Sequence, residues 1–292
     1  MRTTLLALTL TFFSLSILNA QTPPDTSLLV NKKGIRILPQ EGDFAIGIGA
    51  NSILSYIGNM MNFSNNNSVS FTYPFSDNTI YGKYFIDNST AIRAKSRLAF
   101  NNITKYNQVQ DDINVATNPN SKVEDKYANS FTNVSLGFGI EKRKGLRRLQ
   151  AVYGAELLLG VQKYSTNYTY GNAMTTTNRF PTSSYSDFTG SDRLYQRPLE
   201  ESVGLSLNIG LRGFLGVEYF FSPKMSVAGE FGWGPNYEAG GKRIDKDQTT
   251  KASTSYPIQY TLIENKSEVK GTKIFSVDND NASGQIVLLL YF

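Results

Sequence analysis

Period-two alternation of apolar and polar side chains recurs along almost the whole chain, and it limits the possible folds more than any other feature. In SVGLSLNIGLRGFLGVEYFF, Val203, Leu205, Leu207, Ile209, Leu211, Leu215, Val217, Tyr219 and Phe221 share one face of an extended chain. Ser206, Asn208, Arg212 and Glu218 share the other. In TAIRAKSRLAF, Ile92, Ala94, Leu98 and Phe100 oppose Arg93, Lys95 and Arg97, and in NVSLGFGIE, Val134, Leu136, Phe138 and Ile140 oppose Asn133, Ser135 and Glu141. Such segments are strands with one apolar face.

Eight strands are expected: about Asp43–Tyr56, Thr79–Asp87, Thr90–Asn102, Asn129–Glu141, Leu149–Lys163, Ser202–Phe221, Met225–Asn236 and Lys273–Phe292. Their connections alternate between long and short. The short ones are Asp87-Asn88-Ser89, the basic stretch Lys142–Arg148 and Ser222-Pro223-Lys224; the long ones run about Ile57–Asn78, Ile103–Ala128, Tyr164–Glu201 and Tyr237–Thr272. Long loops therefore gather at one end of the sheet and short turns at the other, where both chain ends also lie.

The compartment is read from the first residues. Met1 and Arg2 give a positive start, Leu5–Leu18 an apolar run, and Asn19-Ala20 before Gln21 a small residue at the cut, so residues 1–20 read as a secretory signal peptide. Pro23, Pro24 and Pro39 mark residues 21–42 as an extended periplasmic lead-in, a tether ahead of a domain spanning 43–292. No later apolar run reaches the roughly 18 residues of a membrane helix. The formal net charge of +5 includes Arg2, so loss of the signal leaves +4, too mild for a nucleic-acid partner.

Long loops on one side, an even strand count and strands of about ten residues or more are the signature of a transmembrane β-barrel. A soluble barrel has the same period with its apolar face turned inward. Large residues at nearly every apolar position, full charges on the opposite face, and four loops of about 20 residues or more favour the membrane form. The expected fold is thus all-β, an eight-stranded antiparallel up-and-down transmembrane β-barrel with long extracellular loops and short periplasmic turns.

Three segments carry a family resemblance: the terminal GQIVLLLYF, the hairpin YGKYFIDNSTAIRAK, and LGVEYFFSPKMSVAGEFGWG with its strand-Pro-strand turn. Together they resemble the small eight-stranded outer-membrane barrels of Gram-negative bacteria, the porin-like group around OmpA-, OmpX- and OmpW-type proteins. The resemblance is architectural and spans the mature chain. It implies location in the cell outer membrane, contact with outer-membrane lipid, and insertion by the barrel-assembly machinery, with Phe292 as the assembly signal and a lipid-facing anchor.

Chemistry is restricted by what the composition lacks. With no His and no Cys, nucleophile pairs built on them and His-based metal sites are excluded. No catalytic residue, metal ligand or cofactor is expected. VDNDNASG, Val277–Gly284, alternates Asp and Asn as a calcium loop begins, but lacks the later Glu of an EF-hand and reads as a turn or bulge.

If the apolar stripes face lipid, Lys83, Arg93, Lys95, Arg97 and Arg212 point into the lumen with Glu141, Glu156, Glu218 and Glu230. An eight-stranded interior is just wide enough for side chains to fill, so these charges are expected to interlock as a plug; an ion-selective path is the competing reading. Lys142, Arg143, Lys144, Arg147 and Arg148 are expected in a solvated turn facing anionic head groups. In the loops, Tyr168, Tyr170, Tyr185 and Phe188 form either a recognition surface or internal packing. The expected role is a non-enzymatic scaffold presenting loops for recognition or envelope structure. Alternatives are a narrow OmpW-like transport barrel, or an accessory subunit partnered with other outer-membrane or periplasmic proteins.

Overall fold

The computed structural model describes residues 29–49, 79–189, 196–279 and 285–292. The signal peptide, residues 21–28, the loop expected over Ile57–Asn78 and most of VDNDNASG lie outside them. Among these residues eleven strands follow in chain order: β1 Phe44–Gly49, β2 Ile80–Phe85, β3 Thr90–Gln110, β4 Lys122–Leu146, β5 Leu149–Thr169, β6 Gln196–Ser222, β7 Met225–Ala239, β8 Arg243–Ala252, β9 Tyr260–Val269, β10 Lys273–Asn279 and β11 Gln285–Tyr291. All pair antiparallel. Seven neighbours run β7-β11-β1-β2-β3-β4-β5 and then to β6, and β6 pairs back onto β7, so eight strands close a ring. The expected strand count of eight holds for this ring.

On β1 and β2 alternate residues are exposed and buried: Phe44, Ile46 and Ile48 point out, while Ala45, Tyr81, Lys83 and Phe85 are buried inside. The same split holds on β6, where Leu205, Leu207, Ile209, Leu211, Leu215, Val217, Tyr219 and Phe221 are all exposed and Arg212, Phe214, Glu218 and Phe220 are buried. The ring is apolar outside and charged inside.

Two expectations about connections need correction. The long loops expected over Ile103–Ala128 and Tyr237–Thr272 are largely strand. β3 and β4 stay in register from Thr90↔Lys142 to Gln110↔Lys122, and β8 and β9 form a hairpin that pairs with the first part of β6. Above the ring neither face of these strands is apolar, so hydrophobic periodicity vanishes although the backbone ladder continues. The basic turn is also shorter than expected: β4 and β5 stay paired as far as Leu146↔Leu149, which leaves only Arg147 and Arg148 between them. Arg147 takes a φ of 60°, and the Arg148 guanidinium donates to the carbonyls of Phe220 and Phe221 at 3.1 and 2.9 Å.

The segment before β1 is not an extended tether over its described part. Asn31 Oδ1 accepts hydrogen bonds from the amides of Lys33 and Ile35, both 2.9 Å, and the Ile37 amide donates to Leu29 O at 2.9 Å. This short turn drives Ile37, 2% exposed, into the short-turn end of the ring. There it joins Phe85, Phe220, Leu289 and Tyr291 in an apolar floor, with the Tyr291 ring 5.2 Å from Phe220 and 6.0 Å from Phe85. The Pro spacing signalled extension; burial of one large aliphatic side chain outweighs it.

If this floor is a packed layer, Ile37→Ala removes buried methyl groups and should destabilise the protein by about 2–5 kcal/mol. Lys32→Ala, at an exposed position of the same turn, should change stability by less than about 0.5 kcal/mol. Denaturant unfolding of the purified variants reads the difference; equal stabilities would mean that Ile37 is not part of the core.

Candidate functional site

The interior charges lie on six strands whose inward faces the ring brings together. Lys83 comes from β2, Arg93 and Lys95 from β3, Glu141 from β4, Glu156 from β5, Arg212 and Glu218 from β6, and Glu230 from β7. Two layers form. Nearer the apolar floor, Lys83 Nζ donates to Glu141 at 2.8 Å and to Glu218 at 3.1 Å. Ser226 and Tyr291 hydroxyls also donate to Glu218. One layer up, Arg93 grips Glu230 with two parallel hydrogen bonds of 2.8 and 2.9 Å, and reaches Glu141 at 3.2 Å and Glu156 at 3.4 Å. Arg212 bridges Glu156 at 2.8 Å and Glu230 at 3.3 Å, and Lys95 completes Glu156 at 2.5 Å.

Lys83–Glu218 and Arg93–Glu230 cross the ring, while others, such as Arg212–Glu156, join neighbouring strands. Along the sheet, Lys83 lies directly opposite Arg93, a like-charge pair that is unfavourable by itself. Glu141 of β4 bridges the two, and each also has a carboxylate from four places away around the ring, Glu218 of β6 for Lys83 and Glu230 of β7 for Arg93. Buried charges are tolerable only when paired and hydrogen-bonded, and each of these carboxylates has at least two charged or hydroxyl partners. Phe214 adds a face for the Arg93 guanidinium, 4.1 Å from the ring centroid. Space comes from glycine: a Cβ on Gly232 would stand 2.3 Å from Arg212 Nε, and one on Gly137 2.7 Å from Lys95 Cγ.

Eight of the nine residues expected to share the interior are joined in this network. The ninth, Arg97, lies one step higher on β3 and lines a cavity above it with Lys95. Arg143 corrects the sequence reading. Expected in a solvated turn, it is buried, with Nη2 3.2 Å from Glu218 and 3.4 Å from Glu141, and its guanidinium 4.4 Å from the Phe85 ring centroid. The signal was present, because Arg143 keeps the inward parity of Glu141. The run of neighbouring cations hid it.

Beyond the ring, Tyr168, Tyr170, Tyr185 and Phe188 come together with Tyr127, at centroid separations of 5.4–6.5 Å. They pack on one another, and Tyr168 is only 7% exposed. Its hydroxyl lies 3.2 Å from Glu201, and burial, followed by that carboxylate, holds the phenol well above its usual pKa. Next to them, buried Arg197 donates to Asn172 O at 2.8 Å and to Gln248 at 3.0 and 3.1 Å, while stacking 4.4 Å from the Tyr170 centroid. Asp125 accepts from the Gly171 amide at 2.8 Å and from Ser183 Oγ at 2.6 Å. No local pattern in the sequence marks Arg197 or Asp125, because their partners are distant in the chain. Phe292 stacks on Phe44 at 4.9 Å, and its amide donates to Phe44 O at 2.9 Å, tying the last residue to the first ring strand.

Paired in this way, the four carboxylates of the network cross-brace the ring. Among the described residues no group of three or more acidic side chains is placed to hold a metal ion. Arg212→Ala would strand Glu156 and Glu230 with one cation fewer, and should cost about 3–5 kcal/mol of stability. Lys246 pairs with Glu200 at the exposed outer end, and Lys246→Ala should cost no more than about 1 kcal/mol. Denaturant unfolding of both variants ranks them; a smaller loss for Arg212→Ala would contradict the bracing role.

Comparison with protein-family models, with curated proteins and with solved structures gave no match, so the site is interpreted from its own geometry.

Proposed function

We propose that the chain is an integral outer-membrane β-barrel without enzymatic activity. The ring is a rigid scaffold, and the strand extensions and loops beyond it provide recognition or envelope structure. One observation carries the proposal: the outward face of the closed ring is apolar at strand after strand, with Ile92 50%, Phe138 51%, Leu211 59% and Leu215 63% exposed. A contiguous face of this extent in water would demand a cover. Lipid supplies one around the full circumference, and a closed ring leaves the bilayer no unpaired sheet edge.

The height of the face supports the same reading. On β4 the outward apolar run Val134–Ile140 ends at Lys142 on one side and Thr132 on the other, and Thr132 lies opposite Lys163 of β5. From Thr132 to Lys142 is ten steps of about 3.3 Å, which, tilted as in known barrels, spans about 25 Å between the bounding polar residues, close to the height such proteins present to lipid. Transport through the ring is the weaker reading, since the apolar floor and the two ionic layers fill the interior from below.

The protein should fractionate with outer membranes, migrate differently before and after boiling on denaturing gels, and show little steady conductance in planar bilayers. Recovery as a soluble periplasmic species would sink the membrane assignment, and large stable conductance would move the preference to transport. Phe292→Asp should lower the yield of assembled protein while leaving signal cleavage intact, because the defect lies after export. Normal assembly of that variant would remove the terminal aromatic from the insertion step.

A further inference from the structure

We propose that the outward face of the β4–β5 hairpin, at the short-turn end of the ring, is a binding site for the head group of one anionic phospholipid. The inference rests on the membrane reading above. Of the five cations between Lys142 and Arg148, two are engaged elsewhere: Arg143 is buried in the ionic network, and the Arg148 guanidinium donates to the Phe220 and Phe221 carbonyls. Lys142, Lys144 and Arg147 remain exposed. Among the described residues none of these three pairs with a carboxylate. From Lys142 to Ala155 the chain holds no Asp or Glu, and Glu141 and Glu218, on β4 and β6, are buried inside the ring. Asp87, in the adjoining β2–β3 turn, is held within that turn by the Ser89 amide and hydroxyl at 2.6 and 2.8 Å.

The cations sit where lipid head groups would lie. Lys142 and Lys144 keep the parity of exposed Phe138 and Ile140, so the outward stripe of β4 changes from apolar to cationic without changing face. Two positions along a strand are about 6.6 Å apart, close enough for two flexible ammonium groups to reach one phosphate. Exposed Tyr153 lies directly opposite Lys142 on β5 and adds a phenol to the same face. The ladder runs on to Leu146↔Leu149, and the Gln150 side chain donates to Arg147 O at 2.8 Å, so the backbone that carries the cations is fixed. Lysine stems lie along apolar surface while their ammonium groups reach the interface, and basic residues near it attract anionic lipid. A zwitterionic head group carries its own cation and gains less from three unpaired ones, so the net-anionic phosphodiester is the class assigned.

The test is native mass spectrometry of the purified full-length protein in mild detergent, titrated with dioleoyl phosphatidylglycerol, dioleoyl phosphatidylcholine or inorganic phosphate. One phosphatidylglycerol should be retained saturably, at least about tenfold more tightly than phosphatidylcholine, and phosphate at equal concentration should not displace it. Changing Lys142 and Lys144 together to Gln should weaken retention by about tenfold or more, and changing both to Arg should preserve it. Lys251→Gln, an exposed cation near the tip of the β8–β9 hairpin, should leave it unchanged. Equal retention of the two lipids by wild type overturns the proposal, as does displacement by phosphate. So does undiminished retention in the double Gln variant, or an equal loss in Lys251→Gln, which would show general charge attraction only. If the double Gln variant fails to fold, seen as loss of the unheated gel form, the wild-type comparison of the two lipids decides. Loss of lipid selectivity in a protein that still fractionates with outer membranes counts against this site alone, and so is distinct from failure of the membrane assignment.

Discussion

Closure of the ring by β11 is the constraint on which the rest depends. This strand hydrogen-bonds to β1 from Ala45↔Tyr291 to Gly49↔Val287 on one side, and to β7 from Glu230↔Gln285 to Met225↔Leu290 on the other. Without it β1 and β7 would be open edges with unpaired amides and carbonyls. With it, every ring strand has two neighbours and the two faces of the sheet become an inside and an outside. The period of two then assigns each side chain to one or the other.

Once inside, the charges have little choice of partner. The interior of an eight-stranded ring is about as wide as the side chains that fill it, so groups from opposite strands must meet. Arg93 and Glu230 do so across the full width with a paired hydrogen-bond geometry that favours arginine over lysine. Ion pairs of this kind are weak evidence for net stability, since burial costs much of what attraction returns. Their effect is on register: a shift of one residue on any of the six strands would turn its charges outward onto the apolar face.

Different parts of the interior therefore do different things. The apolar floor, with Ile37 brought in from outside the sheet, seals the short-turn end. The ionic layers brace opposite walls above it. Higher still, polar and charged residues leave space instead of filling it, and beyond the ring β3, β4, β5 and β6 continue as a tall wall to which the β8–β9 hairpin is added. The Tyr127–Tyr168 aromatic cluster, with Tyr185 and Phe188, and the Arg197 bond to Asn172 tie that wall to the segment that links β5 and β6.

The sequence by itself determined the faces. Alternation placed Leu205–Phe221 and Ile92–Phe100 outward and eight of the nine expected interior charges in one network, because side-chain direction in a strand depends only on parity. It located the ring strands for the same reason, wherever one face was apolar. Only the tertiary structure decided what parity cannot express: that Glu218 faces Lys83 and Arg143 across the ring, that β3 and β4 run on far above the apolar band, and that Ile37 is folded back into the floor. Each of these depends on contacts between residues far apart in the chain or on backbone pairing that leaves no hydrophobic period, and neither is written in the order of neighbouring side chains.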